Sequence, residues 1–124
     1  MSATPAQLKR IIVIDDDEDL LFTMNYWLSY KSFVTIALPD DNNIDSIIQS
    51  FNPHMIVIDV RLKNADGRII CRHIKKELLF KNPVLLFSVH DFNPTDFDGY
   101  LADGFFIKNS DHLSMILYIM KHLQ

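Results

Sequence analysis

Acidic and polar residues stand directly behind several short apolar runs in this sequence. The stretch "IIVIDDDEDL" places Asp15 and Asp16, with three further acids, behind four β-branched residues. Asp59 ends the run "MIVID", Ser88 ends "LLFS" and Lys108 ends "FFIK". Carboxylates crowded within a few ångströms cannot all stay ionised without a compensating charge, so we expect some of these acids to share a cation.

Together these residue types are suited to phosphoryl transfer. Mg²⁺ prefers hard oxygen ligands, and a carboxylate beside it can attack phosphorus to form an aspartyl phosphate. The metaphosphate-like transition state then needs cations around its equatorial oxygens, which Mg²⁺ and Lys108 would supply, while the Ser88 hydroxyl would donate a hydrogen bond. Taken singly, each residue has a plainer interpretation as a helix cap, a turn former or a surface side chain. Their joint placement behind different strands favours a site.

The pattern of apolar residues predicts the elements that position this set. Runs rich in β-branched or aromatic residues predict strands at residues 11–14, 33–38, 55–58, 84–89 and 105–107. Apolar residues at helical spacing predict three buried helix stripes: Leu20, Met24, Trp27 and Leu28; Ile44, Ile47, Ile48 and Phe51; Ile69, Ile70, Ile74, Leu78 and Leu79. A fourth helix is predicted after Pro94 and a fifth at residues 113–123.

Five such βα units imply an α/β fold with a parallel sheet covered by helices on both faces. In sheets of this kind the working site lies outside the carboxyl ends of the strands. Asp15 and Asp16, nearest the first strand, are therefore the acids that we expect to hold a cation together with Asp59. Residues 17–19 fall at the start of the first helix, where the helix dipole favours negative charge and one side chain can cap.

Length and composition narrow the class of protein. The chain has 124 residues, an apolar fraction of 48% and nine Phe, which suits one domain with a real core. The net charge of −4 and the lack of a Lys/Arg block argue against a nucleic-acid-binding surface. No run is long enough for a signal sequence or a membrane span. The single cysteine, Cys71, cannot form an internal disulfide, which fits a cytoplasmic location.

The sequence resembles the receiver domain of two-component response regulators, a CheY-like superfamily, over residues 9–124, which leaves residues 1–8 as an N-terminal arm. The resemblance rests on "IIVIDDDEDL", "PHMIVIDVRLKNADG", "NPVLLFSVHD" and "ADGFFIK". The paired acids and the "D-x₇-G" spacing from Asp59 to Gly67 are together quite specific. The resemblance implies a three-layer (βα)5 flavodoxin-like fold with a five-stranded parallel sheet of order 2-1-3-4-5 and helices on both faces.

The resemblance also implies roles for individual residues. Asp59 would be the phosphoacceptor, and Lys108 would form a salt bridge with its phosphoryl group. Mg²⁺ or Mn²⁺ would be held by Asp16 directly, by Asp15 largely through water, by Asp59 and by the backbone carbonyl of Arg61. The receiver would catalyse only its own phosphotransfer and dephosphorylation and would have no independent substrate.

Further residues would act in switching and in setting rates. Ser88 would be the hydroxyl that follows the phosphoryl group, and Phe105 would be the aromatic switch residue. Arg61 and His90 flank the site at positions that tune phosphorylation and hydrolysis rates in this family, although an exposed side chain of little effect is an equally good interpretation of each.

The partners implied by the resemblance are proteins. A histidine kinase or a phosphotransfer protein would donate the phosphoryl group from a phosphohistidine. The signal would leave through the face built by the fourth helix, the fifth strand and the fifth helix, towards a second copy or a downstream protein. We expect the apolar surface around Met115 and Tyr118 to be covered by the fourth helix or offered to such a partner. No output domain follows the fifth helix, so we expect a single-domain regulator or a piece of a longer one.

Two other functions stay open. A degenerate receiver would keep the fold as a binding module without switching; Asn109, where the family usually has a cis-linked Pro, and Val89, where it has Ala or Gly, motivate this hypothesis. An aspartate-nucleophile phosphohydrolase would usually carry a second acid two residues after the nucleophile, and Arg61 stands there instead. Lys63 also replaces a usual Pro, which predicts a more mobile loop after Asp59.

Overall fold

The computed structural model describes residues 8–89, 93–107 and 112–123. Its main sheet contains the strands β1 (Arg10–Ile14), β2 (Val34–Leu38), β3 (Met55–Asp59), β4 (Val84–Ser88) and β5 (Gly104–Ile107). All neighbouring strands are parallel, and their order is β2-β1-β3-β4-β5. The predicted flavodoxin-like order 2-1-3-4-5 is therefore confirmed.

Helices lie between and after these strands. They are α1 (Glu18–Tyr30), α2 (Ile44–Phe51), α3 (Gly67–Arg72) and α4 (His112–His122). Helix α3 continues into a π-helical turn, His73–Glu77. A small antiparallel hairpin, in which Arg61–Leu62 pairs with Ala65–Asp66, follows β3 directly.

The side chains of β1 alternate between two apolar layers, as a strand covered on both faces requires. Ile11 and Val13 pack in a cluster with residues of α1 and α4. Ile12 and Ile14 point the other way and pack with residues of α2 and α3. The three-layer arrangement with helices on both faces is therefore confirmed, and it fixes the carboxyl ends of β1, β3 and β4 at one edge of the sheet.

The prediction of a fourth helix after Pro94 is wrong for the described residues, which contain only a single 3₁₀ turn, Pro94–Phe97. The Asn93 backbone N–H donates to the Asp96 carboxylate (3.1 Å), so the turn is closed locally. Gly99 follows with a φ of 80°, a left-handed conformation that a continuing helix does not have. Within the described residues, the last helix is consequently the fourth.

Three residues predicted for buried helix stripes are exposed instead: Trp27, Ile69 and Leu79. The π-helical turn after α3 changes the angular spacing of the side chains, and Leu79 has a positive φ of 55°, so the stripe of period 3.6 does not extend through this segment. The expectation for Met115 is also wrong, because its side chain is fully buried in the layer between the sheet and α1 and α4.

Some predictions fall on residues outside the described ranges. Of the N-terminal arm, residues 1–8, only Leu8 is described. His90, Lys108 and Asn109 also lie outside the described residues, so their predicted roles are not tested. Among the residues that are described, no helix has both the length and the hydrophobicity needed to cross a bilayer.

Candidate functional site

Three carboxylates converge at the carboxyl edge of the sheet. Strands β1 and β3 are paired with Ile14 opposite Ile58, so Asp15 and Asp59 follow at adjacent positions. Each of Asp15, Asp16 and Asp59 places an oxygen within 4.8 Å of the oxygens of the other two. Asp15 is only 2% exposed and Asp59 only 8%. The sequence prediction that these three acids meet is confirmed.

Backbone and side-chain bonds divide the acid run into two parts. The Asp15 N–H donates to the Leu38 carbonyl (2.9 Å), which extends the β1–β2 pairing by one residue. The Asp15 Oδ1 accepts from the Asp17 N–H at 2.9 Å. Asp17 is the N-cap of α1, and its carboxylate accepts from the N–H groups of Asp19 and Leu20. As predicted, the later acids serve the helix N-terminus while Asp15 and Asp16 face Asp59.

The second acid of the pair is held from the other side of the site. The backbone N–H of Lys63 donates to Asp16 Oδ2 at 2.6 Å. Lys63 lies in the turn of the small hairpin, which is closed by the pairs Arg61 with Asp66 and Leu62 with Ala65. A proline, which the resemblance leads one to expect at this position, has no N–H to donate. The hydrogen bond is therefore a consequence of the departure from the family pattern.

The chain that follows β3 packs against the backbone of Asp59 at Gly67. The Gly67 N–H donates to the Val60 carbonyl (2.8 Å). A β-carbon at Gly67 would stand 2.0 Å from the carbonyl oxygen of Asp59, which is closer than any side chain permits. The "D-x₇-G" spacing thus has a steric cause, because only glycine lets the first turn of α3 approach the backbone of the buried acid.

Asp66 and Arg68, which were not among the predicted site residues, fix this turn in place. Asp66 is the N-cap of α3, and the Arg68 guanidinium contacts its Oδ2 at 2.7 Å. The side-chain hydrogen bond from Arg68, the largest cause, lowers the pKa of Asp66 despite partial burial. Arg68 also donates to the Asp96 carbonyl and lies over the Tyr100 ring. The sequence does contain a signal for the role of Asp66: an acidic residue stands directly before the glycine that begins α3, and such residues often cap helix N-termini.

Ser88 completes the edge from the neighbouring strand. It is the last residue of β4, is 2% exposed, and is paired with Ile107 of β5. Asp59 is paired with Phe87, so Ser88 follows at the next position along the same edge. Val89, immediately after Ser88, is exposed. Lys108 directly follows Ile107 in the sequence, but its position relative to this edge stays a prediction.

The donor set fits a hard divalent cation. Three carboxylates in one cluster offer oxygen ligands only, and Mg²⁺ or Mn²⁺ accepts such ligands together with water. Arg61 lies two residues after Asp59 with its side chain exposed. Because the hairpin begins at Arg61, its backbone is held beside the end of β3. The residues present therefore fit the predicted cation.

The comparison with known families decides the class of this protein. A model described as the response regulator receiver domain matches residues 11–118, most of the chain. This chain belongs to the response regulator receiver domain family. The predicted resemblance is confirmed, and with it the assignment of the receiver to two-component signalling proteins.

The receiver is similar to curated response regulators over about two fifths of their length. It is 28% identical to the alkaline phosphatase synthesis transcriptional regulatory protein PhoP of Bacillus subtilis. The alignment spans 94 residues, which are 76% of this chain and 38% of that protein. It is 29% identical to the response regulator protein GraR of Staphylococcus aureus. That alignment spans 87 residues, which are 70% of this chain and 38% of GraR.

Solved receiver structures share the fold. The BeF3-activated N-terminal receiver domain of Klebsiella pneumoniae RstA superposes with a TM-score of 0.82 at 17% identity, covering 94% of this chain and 99% of that one. The response regulator TrrA of Thermotoga maritima, in complex with Mg(2+)-BeF, gives a TM-score of 0.82 at 17% identity, with coverages of 94% and 100%.

The predicted switch residue, Phe105, lies on β5, where it is paired with Leu86 of β4. Phe105 is 37% exposed, and its ring stacks on Phe97 of the 3₁₀ turn with centroids 4.5 Å apart. The Tyr118 side chain of α4 packs on Phe106 and forms a hydrogen bond with the Phe105 backbone. Burial, the larger effect, raises the pKa of Tyr118, and the bond with Phe105 offsets part of the rise. β5 is thus connected to α4 through Tyr118.

Proposed function

We propose that this receiver accepts a phosphoryl group on Asp59 from a phosphohistidine of a histidine kinase or phosphotransfer protein. A carboxylate oxygen of Asp59 attacks phosphorus, and a P–O bond forms. The P–N bond to the donor histidine breaks, and its electron pair leaves with the imidazole nitrogen. The product is an aspartyl phosphate, and water later hydrolyses it to restore the carboxylate.

The convergence of Asp15, Asp16 and Asp59 is the observation that supports this proposal most strongly. Asp59 ends a fully buried strand and is itself 8% exposed, so its carboxylate is fixed at the sheet edge. Such fixation favours reaction with a donor because the nucleophile loses little further freedom. The Ser88 hydroxyl, one strand away, would donate a hydrogen bond to a phosphoryl oxygen, and Lys108 would provide positive charge there.

The cation would be held by Asp15, Asp16, Asp59 and the backbone carbonyl of Arg61. When bound, Mg²⁺ or Mn²⁺ would neutralise part of the negative charge on the carboxylates and on the entering phosphoryl group. The Lys63 N–H holds one oxygen of Asp16, and the Asp17 N–H holds one oxygen of Asp15. These bonds would orient both carboxylates in advance of binding. We propose Arg61 and His90 as the residues that set the rates.

Switching would pass from Ser88 through β5 to α4. Ser88 is paired with Ile107 of β5, and Phe105 is stacked on Phe97. A Ser88 hydroxyl drawn towards the phosphoryl group would release space in which Phe105 can move. The exposed Leu113 and Leu117 of α4 would then serve as the contact for a second phosphorylated copy or a downstream protein. We place the receiver, residues 9–124, in the cytoplasm, which the buried free thiol of Cys71 suits.

The competing hypotheses are separated by one experiment. The chain is incubated with acetyl phosphate and Mg²⁺, and its intact mass is measured. The proposal expects a labile adduct of one phosphoryl group that requires Mg²⁺ and is absent in Asp59→Asn. No adduct from acetyl phosphate or from a phosphorylated phosphotransfer protein would favour the degenerate module. Multiple turnover of phosphomonoesters would favour the hydrolase.

A further inference from the structure

Helix α1 carries an aromatic stripe on its solvent face. Phe22, Tyr26 and Tyr30 stand four residues apart and are 75%, 60% and 70% exposed. With Asn25 and Ser29 they line an open groove of about 450 Å³. Large aromatic side chains at this spacing normally face a core, so a stripe of them in solvent marks an interaction surface. None of the residues of the phosphoryl site lies on it.

The stripe is free of charge and is held rigid. Between Asp19 and Lys31 the helix has no charged side chain at all. Trp27 contacts Tyr26 and Tyr30 edge to face, with centroids 5.7 and 6.1 Å apart. Rigid aromatic rings lose little conformational entropy when a partner covers them. A solvent-exposed helix face without charges also offers nothing that would steer a charged partner.

We propose that this stripe binds the same stripe of a second copy of the chain about a two-fold axis. In such a two-fold contact, each residue packs against the same residue, or another residue of the same surface, in the second copy. A surface that carries one sign of charge would therefore repel the second copy, whereas a neutral surface does not. With the helices antiparallel and Tyr26 near the axis, Phe22 of one copy lies beside Tyr30 of the other. The acidic first turn, Glu18 and Asp19, then faces the Lys31 end of the second helix.

The available area suits a reversible dimer. The exposed parts of the three rings and of Trp27 amount to roughly 500 Å² per copy, taking about 200 Å² for each side chain. A two-fold contact would therefore bury on the order of 1,000 Å² in total, at the low end of specific interfaces. The dimer should accordingly exchange with monomer and be sensitive to protein concentration.

The aromatic stripe extends well beyond the phosphoryl site. Helix α1 begins at the site edge of the sheet and runs about 20 Å away from it, given 13 residues and 1.5 Å per residue. Tyr30, one of the most exposed rings, is at the end far from Asp59. A two-fold contact between α1 helices uses the whole stripe, including this far end.

The test is sedimentation of the unphosphorylated chain over a range of concentrations. The wild-type chain should show a monomer–dimer equilibrium. Tyr26→Glu should be monomeric, because two carboxylates would then be buried at the axis. Ile69→Glu, a matched change at an exposed apolar residue of α3, should dimerise as the wild type does. Equal thermal midpoints would show that both variants are folded.

Cross-linking locates the contact independently of association strength. Burial raises the pKa of Cys71 to about 12, so a maleimide added at neutral pH should leave this thiol unmodified. A short bis-maleimide should therefore join Tyr26→Cys chains into dimers and leave Ile69→Cys chains as monomers. A wild-type chain that is monomeric at all concentrations would overturn the proposal. So would cross-linking through position 69 alone, or loss of binding to a phosphotransfer protein in Tyr26→Glu while the wild-type chain stays monomeric.

Discussion

Gly67 lies against the backbone of Asp59 so closely that a β-carbon would stand 2.0 Å from the Asp59 carbonyl oxygen. The contact joins the first turn of α3 to the end of β3, and it therefore couples the position of the proposed phosphoacceptor to that of the following helix. The obstructing atoms belong to the backbone, which cannot rotate away as a side chain could.

Gly67→Ala should therefore destabilise the chain by about 3 kcal/mol, at the upper end for overpacking, because either β3 or α3 must shift. Gly99→Ala is the matched control. Gly99 has a φ of 80° and no atom within 4 Å of an added β-carbon, so the substitution should cost only about 1 kcal/mol of backbone strain. Urea unfolding measures both values. Equal costs would show that the contact with Asp59 is not the reason for the glycine.

The hydrogen bond from Lys63 to Asp16 should contribute to cation binding. Lys63→Pro removes the N–H and should weaken Mg²⁺ binding about tenfold, since a hydrogen bond to a charged group contributes about 1.5 kcal/mol. Lys63→Ala keeps the N–H and should bind as the wild type does. Calorimetric titration with Mg²⁺ measures both. Similar affinities for the two variants would show that the backbone donor has no role.

The Asp66–Arg68 pair should make stability depend on pH. The pKa of Asp66 lies below its ordinary value of 3.8 in the folded chain, so the ionised form is favoured by folding. The stabilisation is therefore complete above that ordinary value and is lost as the pH falls through the lowered folded pKa. Asp66→Asn should lower stability at neutral pH and flatten this acid-side loss. Midpoints of urea unfolding, measured across this pH range, test the prediction. Arg68→Ala should likewise flatten the loss of stability at acid pH.

Val89 stands at the rim of the site, exposed and directly after the buried Ser88. Its branched side chain narrows the approach to Asp59 if the donor enters from this side. Val89→Ala should then phosphorylate several-fold faster with acetyl phosphate, with unchanged Mg²⁺ affinity because no cation ligand is altered. The phosphorylation rate is obtained by stopping the reaction at intervals and measuring the phosphorylated fraction by intact mass. An unchanged rate would place the entry path elsewhere.

The fold and the acid cluster were accessible to sequence reasoning for the same physical cause. The continuous apolar runs at β1, β3 and β4 require burial on both faces, and that requirement leads to a parallel sheet with Asp15 and Asp59 at one edge. The division of the acid run between the cation site and the N-terminus of α1 was also predictable from the sequence, since Asp17 stands where an N-cap is needed.

Other features depend on tertiary contacts that a local pattern does not contain. The π-helical turn His73–Glu77 has no signature in hydrophobic spacing, and it placed Leu79 on the surface against the prediction. Met115 was expected to be covered by the helix after Pro94 or offered to a partner, but it is buried in the layer that contains residues of α1 and β1. The Lys63 bond to Asp16 joins residues 47 positions apart through a backbone group, which side-chain types do not reveal.

The most direct test of the account is to identify the residue that carries the phosphoryl group. The chain is phosphorylated with acetyl phosphate and Mg²⁺, reduced with borohydride, digested and analysed by mass spectrometry. Borohydride converts an aspartyl phosphate to homoserine, so the peptide containing Asp59 should carry the corresponding mass decrease at that residue only. Homoserine at Asp15 or Asp16, or at no residue of a chain shown to carry phosphate, would contradict the assignment of Asp59 as the phosphoacceptor.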